Sequence, residues 1–394
     1  MNKNLNSKED STGFQSGNVL LVSISHFIHD VYSSFLAPIL PLLIQKLGLN
    51  YTLAGLLSIF QQLPSLLNPY IGIIADKVSL RYLVIITPAI TSIVMSLLGI
   101  ANHYVILAIL LFVMGISNAF YHVPSPVLIK KLSGSRIGKG MSFYMIGGEV
   151  ARTIGPLIIM GAISLWGLEG TYRLIPFGIL ASLILFFRIR KIKISDEIKS
   201  TKPDFEIIQT LKKHKSFFII IALMLFSRSI LKSGLTAFLP TYFVDFENES
   251  KWIGAIALSI LQFAGIIGAF FSGTFSDKFG RIRVLLIIFI ATPIFSWLFL
   301  ITDGALKMIM LLPLGFFSIA TAPVFLAIVQ EVSSDRPAFL NSLFMTITFV
   351  IGSIGIFLFS LMSDFIGLEY SYGISAIIAL FAIPLTLNLR KIIS

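Results

Sequence analysis

Twelve apolar segments, each about 20 residues long, make up most of this 394-residue chain. A helical run of that length with few charged residues matches the thickness of a lipid bilayer, because a helix rises 1.5 Å per residue. The segments are residues 17–45, 52–75, 82–101, 104–129, 140–165, 171–187, 217–243, 252–275, 283–302, 308–330, 340–362 and 370–389. The sequence therefore predicts an all-α membrane protein with twelve transmembrane helices and a lipid bilayer as its surroundings.

The composition supports a membrane protein and argues against other classes. The chain is 56% hydrophobic and only 12% charged, whereas soluble domains carry about 25% charged residues. The net charge of +11 does not indicate a nucleic-acid partner, because the basic residues lie in short loops between apolar segments. The chain has no cysteine, which excludes disulfides, thiol catalysis and cysteine metal sites.

The distribution of lysine and arginine predicts the orientation. If the N-terminus is cytoplasmic and the loops alternate, 23 of the 30 basic residues lie in cytoplasmic segments and four in external loops. Cytoplasmic loops of membrane proteins carry an excess of Lys and Arg. We therefore expect a multi-pass protein of the cell inner membrane with both termini in the cytoplasm. Residues 1–16 are polar and the first apolar segment is too long for a cleaved signal, so we expect it to be retained.

The chain contains an internal repeat. The only long polar stretch, residues 188–216, separates an N-terminal half, 1–187, from a C-terminal half, 217–394. The loop after the second helix of each half has the pattern Gly-x-x-x-Asp-Lys, followed by arginine. The first copy is Gly72, Asp76, Lys77 and Arg81, and the second is Gly273, Asp277, Lys278 and Arg281. Two six-helix halves are typical of secondary transporters built from repeats.

The paired loops resemble the loop signature of the major facilitator superfamily and its C-terminal copy. The resemblance implies two pseudo-symmetric six-helix halves around a central cavity. It also implies that the eight loop residues form a gating motif, which holds the halves together on the cytoplasmic side while the cavity faces outward. The alternative for either loop is a tight turn with solvated charges.

A finer resemblance connects the chain with the fosmidomycin-resistance group of proton-coupled exporters. It rests on HFIHDVYSSFLAPILPLL in the first segment, GISNAFYH in the fourth, GMSFYMIGGEVARTIGPL in the fifth, SRSILKSGLTAFLPTYF in the seventh and VQEV after the tenth. In the fifth segment, Gly147, Gly148, Gly155 and Pro156 resemble the antiporter signature of drug exporters in this superfamily. The resemblance implies efflux of a small compound in exchange for protons.

Ionisable side chains inside the segments are the candidate functional residues. Each costs roughly 2.5–3.5 kcal/mol at mid-bilayer and persists only when it is paired, hydrated or functional. They are His26, His29, Asp30, His122, Glu149, Arg152, Arg228 and Lys232. With neutral histidines, the three cations exceed the two acids by one charge, which favours an anionic or zwitterionic substrate.

Asp30 is the main candidate for proton coupling. It lies about 13 residues into its helix, close to the bilayer midplane at 1.5 Å per residue, and His26 and His29 share its helix face at i, i+3, i+4 spacing. Burial favours the neutral form of a carboxyl group, and histidine titrates near neutral pH. We expect Glu149 to take part in the same proton coupling. The alternatives are a structural Asp30 that is capped by backbone or histidine donors, and a metal site of Asp30 with both histidines, whose shell would be incomplete.

Four residues are candidates for substrate binding: Arg228, Lys232, Arg152 and His122. Arg228 and Lys232 are four residues apart on the seventh helix without an acid beside them, and guanidinium groups bind carboxylate or phosphate in bidentate fashion. The alternative is a salt bridge across the halves to Asp30 or Glu149. Arg152 could instead pair with Glu149 three residues earlier, and His122 could have a gating role or simply reach the interface.

Three functions stay open on the sequence alone. The first is proton-coupled efflux of a small anionic or amphiphilic compound by alternating access, and the second is proton-coupled uptake of an anionic metabolite. The third is a transport-inactive sensor or an intramembrane enzyme, although no HExxH or GxSxG motif supports an enzyme. We expect a monomer without a cofactor, driven by an ion gradient because no nucleotide-binding motif is present.

Overall fold

The computed structural model describes residues 13–68, 80–190, 214–332 and 337–393, and the regular structure in these ranges is helical. Eleven of the described segments are long and apolar enough to cross a membrane. The remaining segment, α2, is described only to Asn68. The twelve are α1 (Ser16–Leu47), α2 (Tyr51–Gln62, continued by a 3₁₀ turn at Leu63–Leu67), α3 (Leu80–Ser96), α4 (Tyr104–Ser133), α5 (Ile137–Trp166), α6 (Glu169–Ile189), α7 (Lys215–Phe246), α8 (Lys251–Phe279), α9 (Arg281–Ile301), α10 (Gly304–Glu331), α11 (Pro337–Ile366) and α12 (Leu368–Arg390).

The predicted twelve-helix fold is confirmed. The predicted ends lie within five residues of the observed ones wherever the structure describes them. The predicted end of the second segment at residue 75 and most of the predicted linker, residues 188–216, lie outside the described residues. The division at residues 187 and 217 therefore stays a prediction.

The two halves pack in the same way. In the N-terminal half, α1 packs on α5, α2 on α4, and α3 on α6. In the C-terminal half, α7 packs on α11, α8 on α10, and α9 on α12. The first helix of each half thus pairs with the fifth, the second with the fourth and the third with the sixth, so the six-helix halves are pseudo-symmetric.

The same symmetry governs the contact between the halves, where α2 packs on α11 and α5 on α8. At one end of the bundle, the carboxylate of Asp364 accepts hydrogen bonds of 2.7 and 2.8 Å from the backbone amides of Tyr51 and Thr52. An acid at a helix N-terminus satisfies free N–H groups and complements the helix dipole. Where α5 ends and α8 begins, the indole of Trp252 donates to the Ser164 hydroxyl at 3.0 Å. We call the end of the bundle that holds these two contacts the closed end.

Five helices are interrupted within their length. α1 breaks after Ser33, α4 after His122, α10 at Ala320, and α12 between Ala379 and Ala382. α7 continues through a π-helical turn from Gly234 to Phe238. Such interruptions release backbone groups from the helical hydrogen-bond pattern, and in membrane proteins they are tolerated where they face protein or a water-filled cavity.

Candidate functional site

A cluster of three imidazoles surrounds the Asp30 carboxylate. Asp30, His26 and His29 lie on one face of α1, as their spacing predicts, and all three are at most 3% exposed. His122 joins them from α4, where it ends the first part of that helix. Oδ1 of Asp30 lies 3.1 Å from Nδ1 of His29 and 3.1 Å from Nε2 of His122. Oδ2 lies 3.3 Å from Nε2 of His26.

α5 holds the His26 ring in place. Nδ1 of His26 lies 2.7 Å from the carbonyl oxygen of Tyr144, and the two rings stack with centroids 3.9 Å apart. Gly148 makes this approach possible, because a Cβ there would lie 2.5 Å from Cε1 of His26. Small residues at helix interfaces allow such close packing in membranes.

The orientation of the His26 ring determines which of its nitrogens carries a hydrogen. A carbonyl oxygen only accepts, so Nδ1 of His26 carries a hydrogen, and in a neutral ring Nε2 then bears a lone pair. This nitrogen has no hydrogen-bond partner among the described residues, and it faces a carboxylate oxygen 3.3 Å away. Two acceptors repel each other at that distance unless a proton resides on one of them. The pair of atoms is therefore a favourable site for binding one additional proton.

Aromatic rings enclose the rest of the cluster. His29 stacks on Tyr121 with centroids 4.4 Å apart, and the Tyr121 hydroxyl lies 3.2 Å from the Ser25 hydroxyl. The Tyr144 hydroxyl is 2.6 Å from Ser125 Oγ and 3.5 Å from Nδ1 of His122. Neither Tyr121 nor Tyr144 was among the residues predicted for the site. The hint for Tyr121 in the sequence was its position next to His122. No local sequence pattern predicts that Tyr144 lies over His26.

Arg152 lies between this cluster and an open cavity. Its Nε is 4.0 Å from Oδ2 of Asp30, and its terminal nitrogen is 3.2 Å from Glu149 Oε1. The predicted alternative of an Arg152–Glu149 pair is therefore what the structure contains. The side chain of Arg152 is 45% exposed, compared with 5% for that of Asp30.

The cavity has a volume of about 760 Å³ and lies between the two halves. Arg152 enters its wall from α5, whereas Arg228 and Lys232 enter from α7. No acidic side chain is among the described residues that line it. The other lining residues are amides, hydroxyls and apolar side chains: Gln62, Ser65, Leu66, Asn68, Leu225, Ser229, Ser233, Thr236, Gln262, Ile319, Met345, Thr346, Thr348, Phe349, Ile351, Gly352 and Ile356.

Two of the cations have little or no neutralising partner. Arg228 donates to the carbonyl oxygen of Ser318 at 3.2 Å, just before the break in α10. The ammonium group of Lys232 has neither a hydrogen bond nor an ion pair with any residue in the described ranges. The alternative of a salt bridge from α7 to Asp30 or Glu149 is not formed, because Asp30 and Glu149 interact with Arg152 instead.

The remaining predicted residues lie elsewhere. His122 contacts Asp30 and is not among the cavity-lining residues. Arg81 lies over the Tyr82 ring, whereas Gly72, Asp76 and Lys77 lie outside the described residues. In the second loop copy, Gly273 is in α8, Lys278 lies over the Phe279 ring, and Arg281 pairs with Asp277 and with Glu331.

Among the polar residues that were not predicted, Glu331 and Gln262 had a signal in the sequence. Glu331 at the end of α10 accepts a hydrogen bond from Arg281 at 2.7 Å. It is the acid of the VQEV motif, which was the sequence hint for it. Gln262 lines the cavity. The loop repeat has an offset of 201 residues, from Gly72 to Gly273, and the same offset relates Gln61 to Gln262. A search for polar residues at that offset would have found it.

A metal ion is geometrically conceivable at the cluster. One ligand atom each from His26, Asp30 and His122 lies within 4.8 Å of the others, so His122 takes the place that the sequence analysis gave to His29. However, the guanidinium of Arg152 is 4.0 Å from the same carboxylate, and a permanent positive charge there disfavours a divalent ion. The arrangement suits a proton better than a metal.

Comparisons with known proteins agree with this architecture. A model of the Major Facilitator Superfamily matches residues 22–355 and, in a second alignment, residues 255–392. The Fosmidomycin resistance protein of Escherichia coli (strain K12) is 25% identical over 366 residues, which are 91% of this chain and 89% of that protein. The Multidrug resistance protein MdtG of Yersinia enterocolitica is 24% identical over 321 residues, 73% of this chain and 76% of that protein.

A solved structure has the same fold. A bacterial homologue of the human lysosomal transporter Spinster, in an inward-facing and unoccupied conformation, aligns with a TM-score of 0.78 and 15% sequence identity. The alignment covers 96% of this chain and 98% of the homologue.

Proposed function

The chain belongs to the Major Facilitator Superfamily, a family of membrane transporters, and we propose that it is a proton-coupled transporter of a small anionic or amphiphilic compound. The observation that carries the proposal is the cavity between the halves, whose wall holds three cationic side chains and no acid among its described residues. The cations come from both halves, so a bound anion would contact α5 and α7 together. Alternating access requires such a site at the interface of the repeats.

The cavity chemistry supports an anion with an apolar part. Arg228 and Lys232 lie four residues apart on one helix face, and only Arg228 has a polar partner among the described residues, a single carbonyl. A bound carboxylate, sulfonate or phosphonate would neutralise these charges and accept hydrogen bonds from them. Leu225, Met345 and Phe349 supply apolar surface to the same cavity. A cationic compound would meet three like charges there.

The proton site in this proposal is the carboxylate cluster. Asp30 is buried, faces three imidazoles, and has a contact with His26 that favours an extra proton. The group lies beside the cavity, separated from it by Arg152. We assign proton binding to Asp30 with His26 and His29 and give Glu149 an auxiliary part. We assign anion binding to Arg228, Lys232 and Arg152. His122 belongs with the proton site by position.

Two directions of transport are candidates. Efflux in exchange for protons is supported by the names of the relatives, which are a fosmidomycin resistance protein and a multidrug resistance protein. Uptake together with a proton is the second candidate. It is favoured by the position of Arg152 between the carboxylates and the anion cavity. Alternating access between the six-helix halves serves either direction.

The cellular setting is part of the same proposal. We place the protein as a monomer in the cell inner membrane, with both termini and the linker at 188–216 in the cytoplasm. The paired loops around Asp76 and Asp277 would act as the gating motif. The ion pairs of Arg281 with Asp277 and Glu331 give the second loop a defined shape, as a gating role requires.

The test is a flux assay with purified protein in proteoliposomes under an imposed pH gradient. The compounds are fosmidomycin, phenylphosphonate and benzenesulfonate, with benzyltrimethylammonium as a cation that has a similar ring. We expect an anion, and not the cation, to accumulate. Accumulation with an acidic interior indicates exchange for protons, and accumulation with an acidic exterior indicates movement with protons. Accumulation of the cation alone contradicts the proposal, and flux of no compound would favour the transport-inactive sensor.

A further inference from the structure

We propose that Arg152 is shared between the proton site and the anion site, so that proton binding at the Asp30 cluster strengthens anion binding in the cavity. The inference rests on the proposed function and adds the sign of the coupling between its two ligands. It assigns to Arg152 a linking role that neither its pair with Glu149 nor its place in the cavity wall explains alone.

The geometry places one guanidinium within reach of both sites. Arg152 is 3.2 Å from Glu149 and 4.0 Å from Asp30, so in the empty transporter it is drawn towards two carboxylates. It also lines the large cavity and an adjoining cavity of about 300 Å³, which extends to the break in α1 at Ser33 and Ser34. With 45% of its side chain exposed, it has room to turn towards a ligand.

The charged and titratable groups around Arg152 and Asp30 come from four helices, α1, α4, α5 and α7. On α1, His26 and His29 contact Asp30, and on α4 His122 does so. Across the cavity, Arg228 and Lys232 on α7 face the space that Arg152 lines. Tyr121 and Tyr144 are neutral phenols in contact with the histidines. Glu149 and Asp30 are thus the only acids placed to hold Arg152 back within the described part of the chain.

The sign of the coupling follows from Coulomb's law. Neutralising Asp30 or Glu149 with a proton removes an attraction that holds Arg152 away from the cavity, and the freed cation can pair with an anion there. Conversely, an anion that draws Arg152 away leaves the carboxylate with a higher affinity for a proton. Such linkage is reciprocal. Because the charges of proton and anion compensate each other, the two ligands bind best together. This favours movement of anion and proton in the same direction over exchange.

The experiment measures the affinity of purified protein for benzenesulfonate, whose charge does not change near neutral pH, at several values from about pH 8 to pH 6. In wild type we expect tighter binding at lower pH, approaching tenfold per pH unit if one proton is bound with each anion. Proton uptake on addition of benzenesulfonate in weakly buffered solution should approach one per site. Arg152→Gln should bind more weakly and lose both the pH dependence and the proton uptake.

Matched variants separate coupling from folding. Arg152→Lys keeps the charge and should restore part of the pH dependence, whereas a structural role would not require it to do so. Asp30→Asn and Glu149→Gln each imitate protonation of one carboxylate. At least one of these variants should bind benzenesulfonate at pH 8 nearly as tightly as wild type does at pH 6. Arg136→Gln removes an exposed arginine just before α5 and should behave as wild type.

The outcomes distinguish the inference from the function on which it rests. Failure of wild type to bind the sulfonate at any pH contradicts the proposed anion site itself. Binding that is independent of pH, or that weakens as the pH falls, overturns the inference while leaving anion transport intact. An Arg152→Gln variant that binds the anion with the wild-type pH slope also overturns it.

Discussion

Nε2 of His26 lies 3.3 Å from Oδ2 of Asp30, while Nδ1 of the same ring is held 2.7 Å from the Tyr144 carbonyl. Because the carbonyl fixes a hydrogen on Nδ1, the opposite nitrogen can face a carboxylate favourably only when a proton lies between them. This relationship links the packing of α1 on α5 to proton binding. It also makes the proposed coupling site testable by substitutions that change titration without changing shape.

Asp30→Asn is the first such substitution. The amide keeps the shape of the carboxylate, and its NH₂ group can donate to the lone pair of His26, so we expect a folded protein. The variant should bind substrate but lose accumulation driven by a pH gradient, because an amide does not titrate. Downhill exchange of labelled for unlabelled substrate should persist. Retained uphill accumulation would remove Asp30 from the coupling site.

Arg228→Ala should weaken anion binding by about 2–5 kcal/mol, the usual cost of truncating one partner of a buried charge pair. Arg228→Lys should recover only part of this, since an ammonium group cannot form the bidentate contact of a guanidinium. Arg228 has no contact with Asp30 in the structure, so the effects of Arg228→Ala and Asp30→Asn on thermal stability should add. Mutual rescue of stability in the double variant would instead indicate a salt bridge across the halves.

Asp364→Asn should weaken the closed end of the bundle. Its carboxylate caps the first turn of α2 at Tyr51 and Thr52, and a charge at a helix N-terminus contributes about 0.3–2 kcal/mol. We expect faster labelling of a cysteine introduced at Thr236, in the cavity wall, by an impermeant reagent added from the Asp364 side. Glu249→Gln, at an exposed acid between α7 and α8, is the control. Equal rates in both variants would argue against this closure.

Gly148→Ala tests the close contact between α1 and α5. An added Cβ would lie 2.5 Å from Cε1 of His26, so the helices must separate or the ring must move, at a cost of about 1–3 kcal/mol. We expect a lower thermal unfolding temperature in detergent and impaired proton coupling. Gly161→Ala on the same helix meets no atom within 4 Å and should leave both unchanged. Equal stability of the two variants would contradict the packing described for His26.

The orientation prediction uses the absence of native cysteine. A cysteine at Ser135, in the exposed turn between α4 and α5, should react with an impermeant reagent only from the cytoplasmic side. One at Glu249, in the exposed turn between α7 and α8, should react only from outside. Glu249 is preferable to its neighbour Asn248, whose φ of 54° favours asparagine or glycine. Labelling of both from one side would rule out the proposed topology.

The sequence by itself determined the features that depend on local order along the chain. Apolar runs of bilayer length fixed the helices, and the i, i+3, i+4 spacing placed His26, His29 and Asp30 on one face. The repeated Gly-x-x-x-Asp-Lys loops indicated two halves. The sequence also indicated Arg228 and Lys232 as functional residues, because a cation within a membrane segment is costly unless it is paired, hydrated or functional.

Only the tertiary structure decided which helices pack together and how far each is shifted along its axis relative to its neighbours. It brought His122 to Asp30 across 92 residues and set Tyr144 against His26 across 118. It also turned Arg152, rather than Arg228 or Lys232, towards the acids. Helical spacing fixes the direction of a side chain only around its own axis. Which partner it finds depends on how neighbouring helices slide and rotate against one another, and here that is set by contacts such as Gly148 against His26. Local sequence carries no direct record of those shifts.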